Sequence, residues 1–192
     1  SVPKHPPDEK RVPMVLCNAG YYGTLAAMRS LGRIGVPIVT VDTGIFSPGG
    51  YSRYSSCHLK SPSLDSADWS EWLLAIGRDG PRRAIYATSD TVSYALAERR
   101  EEFGSMFDLY QPDLNTMMSI LDKGLLHKHA QAVGMDTPET WLPETADEAE
   151  KIVREVGGRL VVKPRSQLSV RSGAKGLLID ASGTNGRAVY DD

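Results

Sequence analysis

Short apolar runs alternate with amphipathic stretches along the front of this chain. Val12 to Asn18 is an apolar run closed by a turn and reads as a buried strand. Asn18-Ala19-Gly20-Tyr21-Tyr22-Gly23 turns into a helix reaching Ile34, with Leu25, Met28 and Leu31 as apolar positions and Gly35 as its stop. Val36 to Asp42 is a second buried strand, and strand, helix and strand in this order make a right-handed βαβ unit. Thr43 to Ser56 is a loop rich in glycine, serine and tyrosine, after which Cys57 to Lys60 forms a short strand. Asp65 or Ser66 caps a helix with Trp69, Trp72, Leu73 and Ile76 on one face. Ala84 to Thr88 is the next strand, Asp90 caps the helix carrying Val92, Ala95 and Leu96, and Leu109 with Tyr110 forms one more strand. Such alternation predicts an α/β fold with an open, mostly parallel, Rossmann-like sheet covered on both faces.

The rhythm changes at Asp113, which starts a helix with Leu114, Met117, Met118 and Leu121. A helix over 124–133 sets Leu126, Ala130 and Val133 on one stripe and stops at Gly134. Thr145-Ala146-Asp147-Glu148 is a capping box for a helix with Ala149, Ile152, Val153 and Val156 inward, stopped by Gly157-Gly158. Arg159 to Pro164 is a strand, with Leu177 to Ile179 its hairpin partner across a polar loop. The expected organisation is a mobile tail over 1–11, an α/β domain over 12–112 and a small α+β lobe over 113–192.

Composition narrows the function classes. A formal net charge of -2 over 192 residues, with dispersed basic residues, gives no nucleic-acid surface. No apolar run approaches the roughly 18 residues of a membrane span, and no signal-peptide core is present. Cys17 and Cys57 make no disulfide framework and fit a reducing cytoplasm. Cys57-His58 and His127 with His129 lack the rest of a metal shell, so no metal ligand is assigned. Gly20 and Gly23 keep the spacing of the last two glycines of a dinucleotide fingerprint, with Asp42 about twenty residues on, but Asn18 stands where its first glycine belongs.

The sharper chemistry lies in the cations of the second lobe. Lys123 opens a helix, Lys163 ends an apolar strand, and Lys175 ends the loop from Arg165, which also carries Ser166 and Arg171. A lysine at such a strand end is costly to bury without a counter-charge, which a phosphate supplies; a lysine reaching water is the plain alternative. Hydroxyls and backbone N–H groups of the loop suit a polyphosphate, and a simple hairpin loop is again the plain alternative. Pro48 to Tyr54 and Thr88-Ser89-Asp90 follow strand ends, where open α/β sheets place ligands, and the Arg53 fork suits a carboxylate; a loop tied down by tyrosines and a helix cap at Asp90 are the plain alternatives.

Asp122-Lys123, Pro138-Glu139-Thr140, Val161-Val162-Lys163-Pro164 and Lys175, with Pro48-Gly49-Gly50-Tyr51-Ser52-Arg53-Tyr54 and Thr88-Ser89-Asp90 upstream, resemble the N-terminal part of an ATP-grasp carboxylate–amine ligase: a pre-ATP-grasp domain and the first portion of the grasp. No single motif is strong, and the loop before Lys175 is poorer in glycine than in many members. The resemblance implies ATP on Lys123, Lys163, Ser166 and Lys175, with Lys163 at the α-phosphate and adenine edge. It implies a small carboxylate and a small amine as substrates and no named catalytic side chain; Arg53, Ser89 and Asp90, by their place after strand ends, are the candidate substrate contacts. It also implies Mg2+, whose ligands are expected beyond Asp192, so that the chain is a fragment inactive in ligation by itself and open to homodimerisation. A non-catalytic α/β module binding a nucleotide or another small ligand is the competing expectation.

Overall fold

The structure, a computed structural model, describes residues 7–44, 46–169 and 176–180. It divides into two compact units, Ser1–Met117 and Met118–Asp192.

The first unit is built on a five-stranded, wholly parallel sheet: β1 (Met14–Cys17), β2 (Ile38–Asp42), β3 (Cys57–Lys60), β4 (Arg83–Tyr86) and β5 (Phe107–Asp108), in the order β3-β2-β1-β4-β5. Alternate side chains of β1 and β2 enter different layers, as the two-residue period of a strand requires. On one face Val15, Cys17, Val41 and Ile85 pack with Trp69, Leu73 and Leu74 of α2 (Asp68–Arg78), Val92 and Leu96 of α3 (Asp90–Glu98), and Phe103 of α4 (Arg100–Met106). On the other, Leu16 and Ile38 pack with Met28 of α1 (Tyr22–Arg33), and Tyr54 closes that layer. Coverage on both faces explains the near-continuous apolar strands. The α/β class and the parallel sheet read from the sequence are present.

Local signals resolve differently at three places. The last strand is Phe107–Asp108, not Leu109-Tyr110: Phe107 is buried against Phe103, whereas the half-exposed Tyr110 ring stacks on Tyr86 at 5.2 Å. Ser89, not Asp90, is the N-cap of α3, its hydroxyl accepting the Val92 N–H at 3.4 Å. At α2, Ala67 holds the cap position, and Ser66 Oγ accepts the Asp68 N–H from just outside the helix.

The second unit carries α6 (Lys123–Ala132), α7 (Ala146–Val156) and an antiparallel pair, β6 (Arg159–Val162) with β7 (Leu177–Asp180); α5 (Leu114–Leu121) spans the division between the units. Thr145 caps α7 by accepting the Glu148 N–H at 3.2 Å, but the Glu148 carboxylate accepts from the Glu144 amide instead of returning to Thr145. Gly157 and Gly158 end α7 with φ of 64° and 70°, a region that favours glycine. Ala149 and Val153 are buried, while Val156 is exposed. The apolar stripe on α6 faces out at Leu126, 46% exposed, and at Val133, 74% exposed. The buried side is the opposite one, where Gly124 packs so tightly that a Cβ would lie 3.1 Å from Leu142 and 3.2 Å from the Asp122 carboxylate. Polar anchoring at the first turn sets the rotation of this helix.

Candidate functional site

In the second unit a set of polar links ties the start of α6 to the segment after β6. Asp122 is the N-cap of α6; one carboxylate oxygen accepts the Leu125 N–H at 2.9 Å and the other accepts from Arg165 Nε at 2.6 Å. Burial alone would raise this carboxyl, but the Leu125 amide and the Arg165 guanidinium outweigh it and hold it below its ordinary value. The Lys123 backbone N–H donates to the Arg165 carbonyl, and the Lys123 ammonium donates to the Pro164 carbonyl, both at 2.9 Å. An ammonium has three donors, so one bond to Pro164 leaves two for another acceptor.

Lys163 precedes Pro164 and is exposed. It continues the parity of Val161, whose cross-strand partner is Leu178; both are outward, 60% and 61% exposed, while the pair Leu160 and Ile179 faces inward. Gly176 brings its backbone against the Lys163 stem, where a Cβ would sit 3.2 Å from Lys163 Cγ. Thus Lys123 is held beside the strand-end segment, and Lys163 emerges from that segment on an outward apolar face. Ser166 is buried, with its hydroxyl oxygen accepting the Leu168 N–H at 3.1 Å. Arg165, the first residue of the loop expected to close over phosphates, is engaged by Asp122, because a carboxylate that is only 12% exposed needs a counter-charge. Arg171 and Lys175 lie outside the described residues. Among the described residues no group of three His, Cys, Asp or Glu side chains is placed to hold a metal ion.

In the first unit the carboxyl ends of β1 and β4 lie side by side, at the point where strand order reverses. Thr24 of α1 and Thr88 beyond β4 share a hydrogen bond of 2.7 Å, and both reach the Cys17 carbonyl. The Tyr21 phenol, bonded to the Tyr22 hydroxyl at 2.9 Å, is pushed above its ordinary value first by that bond, then by burial and neighbouring charge that includes Asp90. Ser89 and Asp90 therefore stand at this edge with the tyrosines. The dinucleotide-like turn is closed from within: Asp42 accepts the Gly20 N–H at 2.6 Å, and Asn18 takes the left-handed conformation, φ 57°, in place of a glycine. A carboxylate already bonded to the turn is not presented to a ribose.

Arg53 is elsewhere. The loop after β2 begins at the carboxyl edge, where Gly49 donates to the Ala19 carbonyl, but by Ser56 it has descended to the amino end of the sheet, where the Ser56 N–H donates to the Ile38 carbonyl at 2.8 Å. Arg53 lies at that lower edge, its guanidinium 5.0 Å over the Tyr54 ring. Of the expected substrate contacts, Ser89 and Asp90 come together and Arg53 does not join them. Sequence reading missed His58, which bridges Thr40 and the Gly44 carbonyl at 2.9 Å and 3.0 Å and so pins this loop. A strand histidine after a glycine-rich loop was the available signal.

No protein-family model matches the chain, and no curated protein matches it. Solved structures do. L-amino acid ligase from Bacillus licheniformis is 14% identical with a TM-score of 0.65, over 94% of this chain and 42% of that one. N5-carboxyaminoimidazole ribonucleotide synthetase from Thermotoga maritima is 17% identical with a TM-score of 0.60, over 88% of this chain and 41% of that one. N5-carboxyaminoimidazole synthetase from Staphylococcus aureus complexed with ADP is 15% identical with a TM-score of 0.61, over 88% and 41%. At such identity the likeness is one of fold: the chain shares the fold of a portion of ATP-grasp enzymes and spans about two-fifths of the length of these structures.

Proposed function

We propose that this chain belongs to an ATP-dependent ligase that joins a carboxylate to an amine, with a pre-ATP-grasp domain over 12–112 and a first grasp lobe over 113–192. The observation that carries the reading is the 2.9 Å bond from the Lys123 ammonium to the Pro164 carbonyl, which draws the α6 lysine to the segment bearing Lys163. One cation bonded to the strand-end segment and another borne on it, beside an outward apolar strand face, suit a nucleotide, whose base needs apolar contact and whose phosphates need positive charge. The ADP in the Staphylococcus aureus relative fits this choice of ligand.

ATP supplies a phosphoryl group that turns a carboxylate, a poor electrophile, into an acyl phosphate open to attack by an amine. The work assigned to this chain is positioning and charge: Lys123 and Lys163 offset phosphate charge, and the Asp122–Arg165 tie keeps Lys123 in place. Ser166 and Lys175 are added from the sequence, the latter from outside the described residues. Magnesium would share the same neutralisation, through ligands proposed to come from elsewhere in the complete fold. Ser89 and Asp90 are proposed to meet a small substrate at the switch point of the sheet. Because the chain spans about two-fifths of each matched structure, ligation is proposed for the complete fold and not for these residues alone. A reducing, cytoplasmic setting completes the proposal, since both cysteines are free thiols.

Saturation-transfer NMR with ATP on the 192-residue chain is the test. Transfer to the adenine and ribose protons is expected, reduced severalfold in Lys163→Ala and in Lys123→Ala. No transfer at millimolar ATP, or transfer unchanged in both variants, would overturn the assignment.

A further inference from the structure

Arg53 has no part in the nucleotide reading and no carboxylate partner among the described residues, where the ion pairs involve other side chains. It belongs to the amino edge of the sheet, just before the segment that enters β3. There Arg53, Tyr54, Ser55 and Ser56 line a hollow of about 210 Å³ together with Gly32, Val36 and Pro7. A drug-sized ligand takes a pocket of roughly 300 Å³ or more, so this one suits a molecule of a few heavy atoms.

Packing sets the polar groups of the hollow. At Gly32 of α1 a Cβ would lie 2.6 Å from the Tyr54 ring, so the absent side chain lets that ring seat against the helix. The ring carries Arg53: the guanidinium lies 5.0 Å over it, and Nη2 donates to the Tyr54 hydroxyl at 3.2 Å. Nη2 takes part in both parallel N–H pairs of a guanidinium, with one proton in each, so a single bond leaves the other pair free. Ser56 is clamped to Ile38: its N–H donates to the Ile38 carbonyl at 2.8 Å, and its Oγ accepts the Ile38 N–H at 3.3 Å. The Ser56 hydroxyl keeps its own proton to donate. The Ser55 hydroxyl is used within the fold, donating to the Cys57 carbonyl at 3.1 Å.

We propose that this amino-edge hollow binds a small monocarboxylate, with its two oxygens on the free Arg53 fork and its alkyl end against Val36 and Pro7. One planar fork matches the two oxygens of one carboxylate, and a single cation offsets a single negative charge. The Ser56 hydroxyl adds a neutral donor, and the apolar side chains of the lining favour a short hydrocarbon tail over a fully hydrated anion. A phosphate dianion would bring a second charge that no other side chain of the lining answers. The site stands at the opposite edge of the sheet from Ser89 and Asp90. It uses neither Lys123 nor Lys163, so it survives failure of the nucleotide reading.

The test is a titration of the full 192-residue chain, at constant ionic strength, with acetate, butyrate, butylammonium and inorganic phosphate. NMR follows the Arg53 Nε–H and the Val36 and Ser56 amides. Saturable shifts are expected with both carboxylates, and butyrate should bind tighter than acetate by up to about fourfold for each added methylene. Arg53→Gln, read on the two amides, should weaken butyrate binding by about tenfold or more, the scale of one lost charge-assisted contact. Arg53→Lys keeps the charge without the fork and should fall between Arg53→Gln and the wild type. Lys163→Ala should leave butyrate binding unchanged. Absence of saturable shifts in the wild-type chain, butyrate binding unchanged in Arg53→Gln, or butylammonium or phosphate binding as tightly as butyrate would each overturn the proposal.

Discussion

The two units put their hydrophobic residues to opposite uses. In the first, the apolar runs of β1, β2 and β4 and the helix faces over them close on one another, so that Val15, Leu16, Met28, Ile38, Leu73, Leu74, Ile85 and Leu96 are essentially inaccessible to water. Among the described residues of the second, the buried apolar side chains are Ala149, Val153 and Ile179, while Leu126, Val133, Val161, Leu177 and Leu178 are exposed. The first unit spends its pattern on stability. The second is held at the start of α6 by polar ties, Asp122 to Arg165 and Lys123 to Pro164, and presents apolar surface beside its lysines. The contrast separates a closed core from an open apolar face.

Core truncation should draw the line most sharply. Leu73→Ala in the first unit is expected to cost about 3 kcal/mol in urea unfolding, from lost burial and a residual cavity. Leu178→Ala on the outer hairpin face should stay within about 0.5 kcal/mol. Similar costs at both positions, read by hydrogen exchange within each unit, would erase the contrast.

Next in size is the polar tie. Asp122→Ala removes an N-cap and the Arg165 pair, and about 2 kcal/mol is expected from the second unit, most of it the cap because Arg165 is largely exposed. The pH dependence follows from the lowered carboxyl. Its stabilising contribution is fully present above the ordinary value of 3.8 and is lost as pH falls below that through the folded-state value. Asp122→Asn should abolish this part of the acid lability, and an unchanged acid limb would break the assignment.

Gly157→Ala is a smaller probe, since φ of 64° with ψ of 178° is glycine territory and about 1 kcal/mol or more is expected in thermal unfolding. Smallest in energy, and clean in readout, is thiol labelling. Burial pushes Cys17 up to about 12, whereas Cys57 is exposed. Ellman's reagent at neutral pH should therefore titrate Cys57 alone until the first unit unfolds, and Cys57→Ser should remove the fast phase.

Most of the scaffold was legible in the sequence because its signals were local and repeated: apolar runs at β1, β2 and β4, the glycine stops at Gly35 and Gly157, and the Thr145 cap all acted through near neighbours. Where a distant partner decided, local reading failed. The period of Leu126, Ala130 and Val133 correctly announced a helix but not its rotation, which the Asp122 tie sets across forty-three residues of chain. Arg53 follows a strand end in sequence, yet its loop crosses to the other edge of the sheet, a path no spacing rule encodes. The lysines of the second unit were singled out because an ammonium at an apolar strand end is costly to bury, and the fold meets that cost by leaving Lys163 exposed.

Isothermal titration calorimetry of MgATP into the 192-residue chain, repeated on Lys163→Ala and Leu73→Ala, tests the division of labour most directly. A dissociation constant near about 1 mM, roughly 4 kcal/mol, is expected for the wild-type chain. Binding should fall about tenfold in Lys163→Ala, the worth of one charge-assisted contact, and persist in whatever fraction of Leu73→Ala remains folded. Binding unaffected by the loss of Lys163, or no heat at millimolar MgATP with the wild-type protein, would contradict the assignment of the second unit as the nucleotide-holding face.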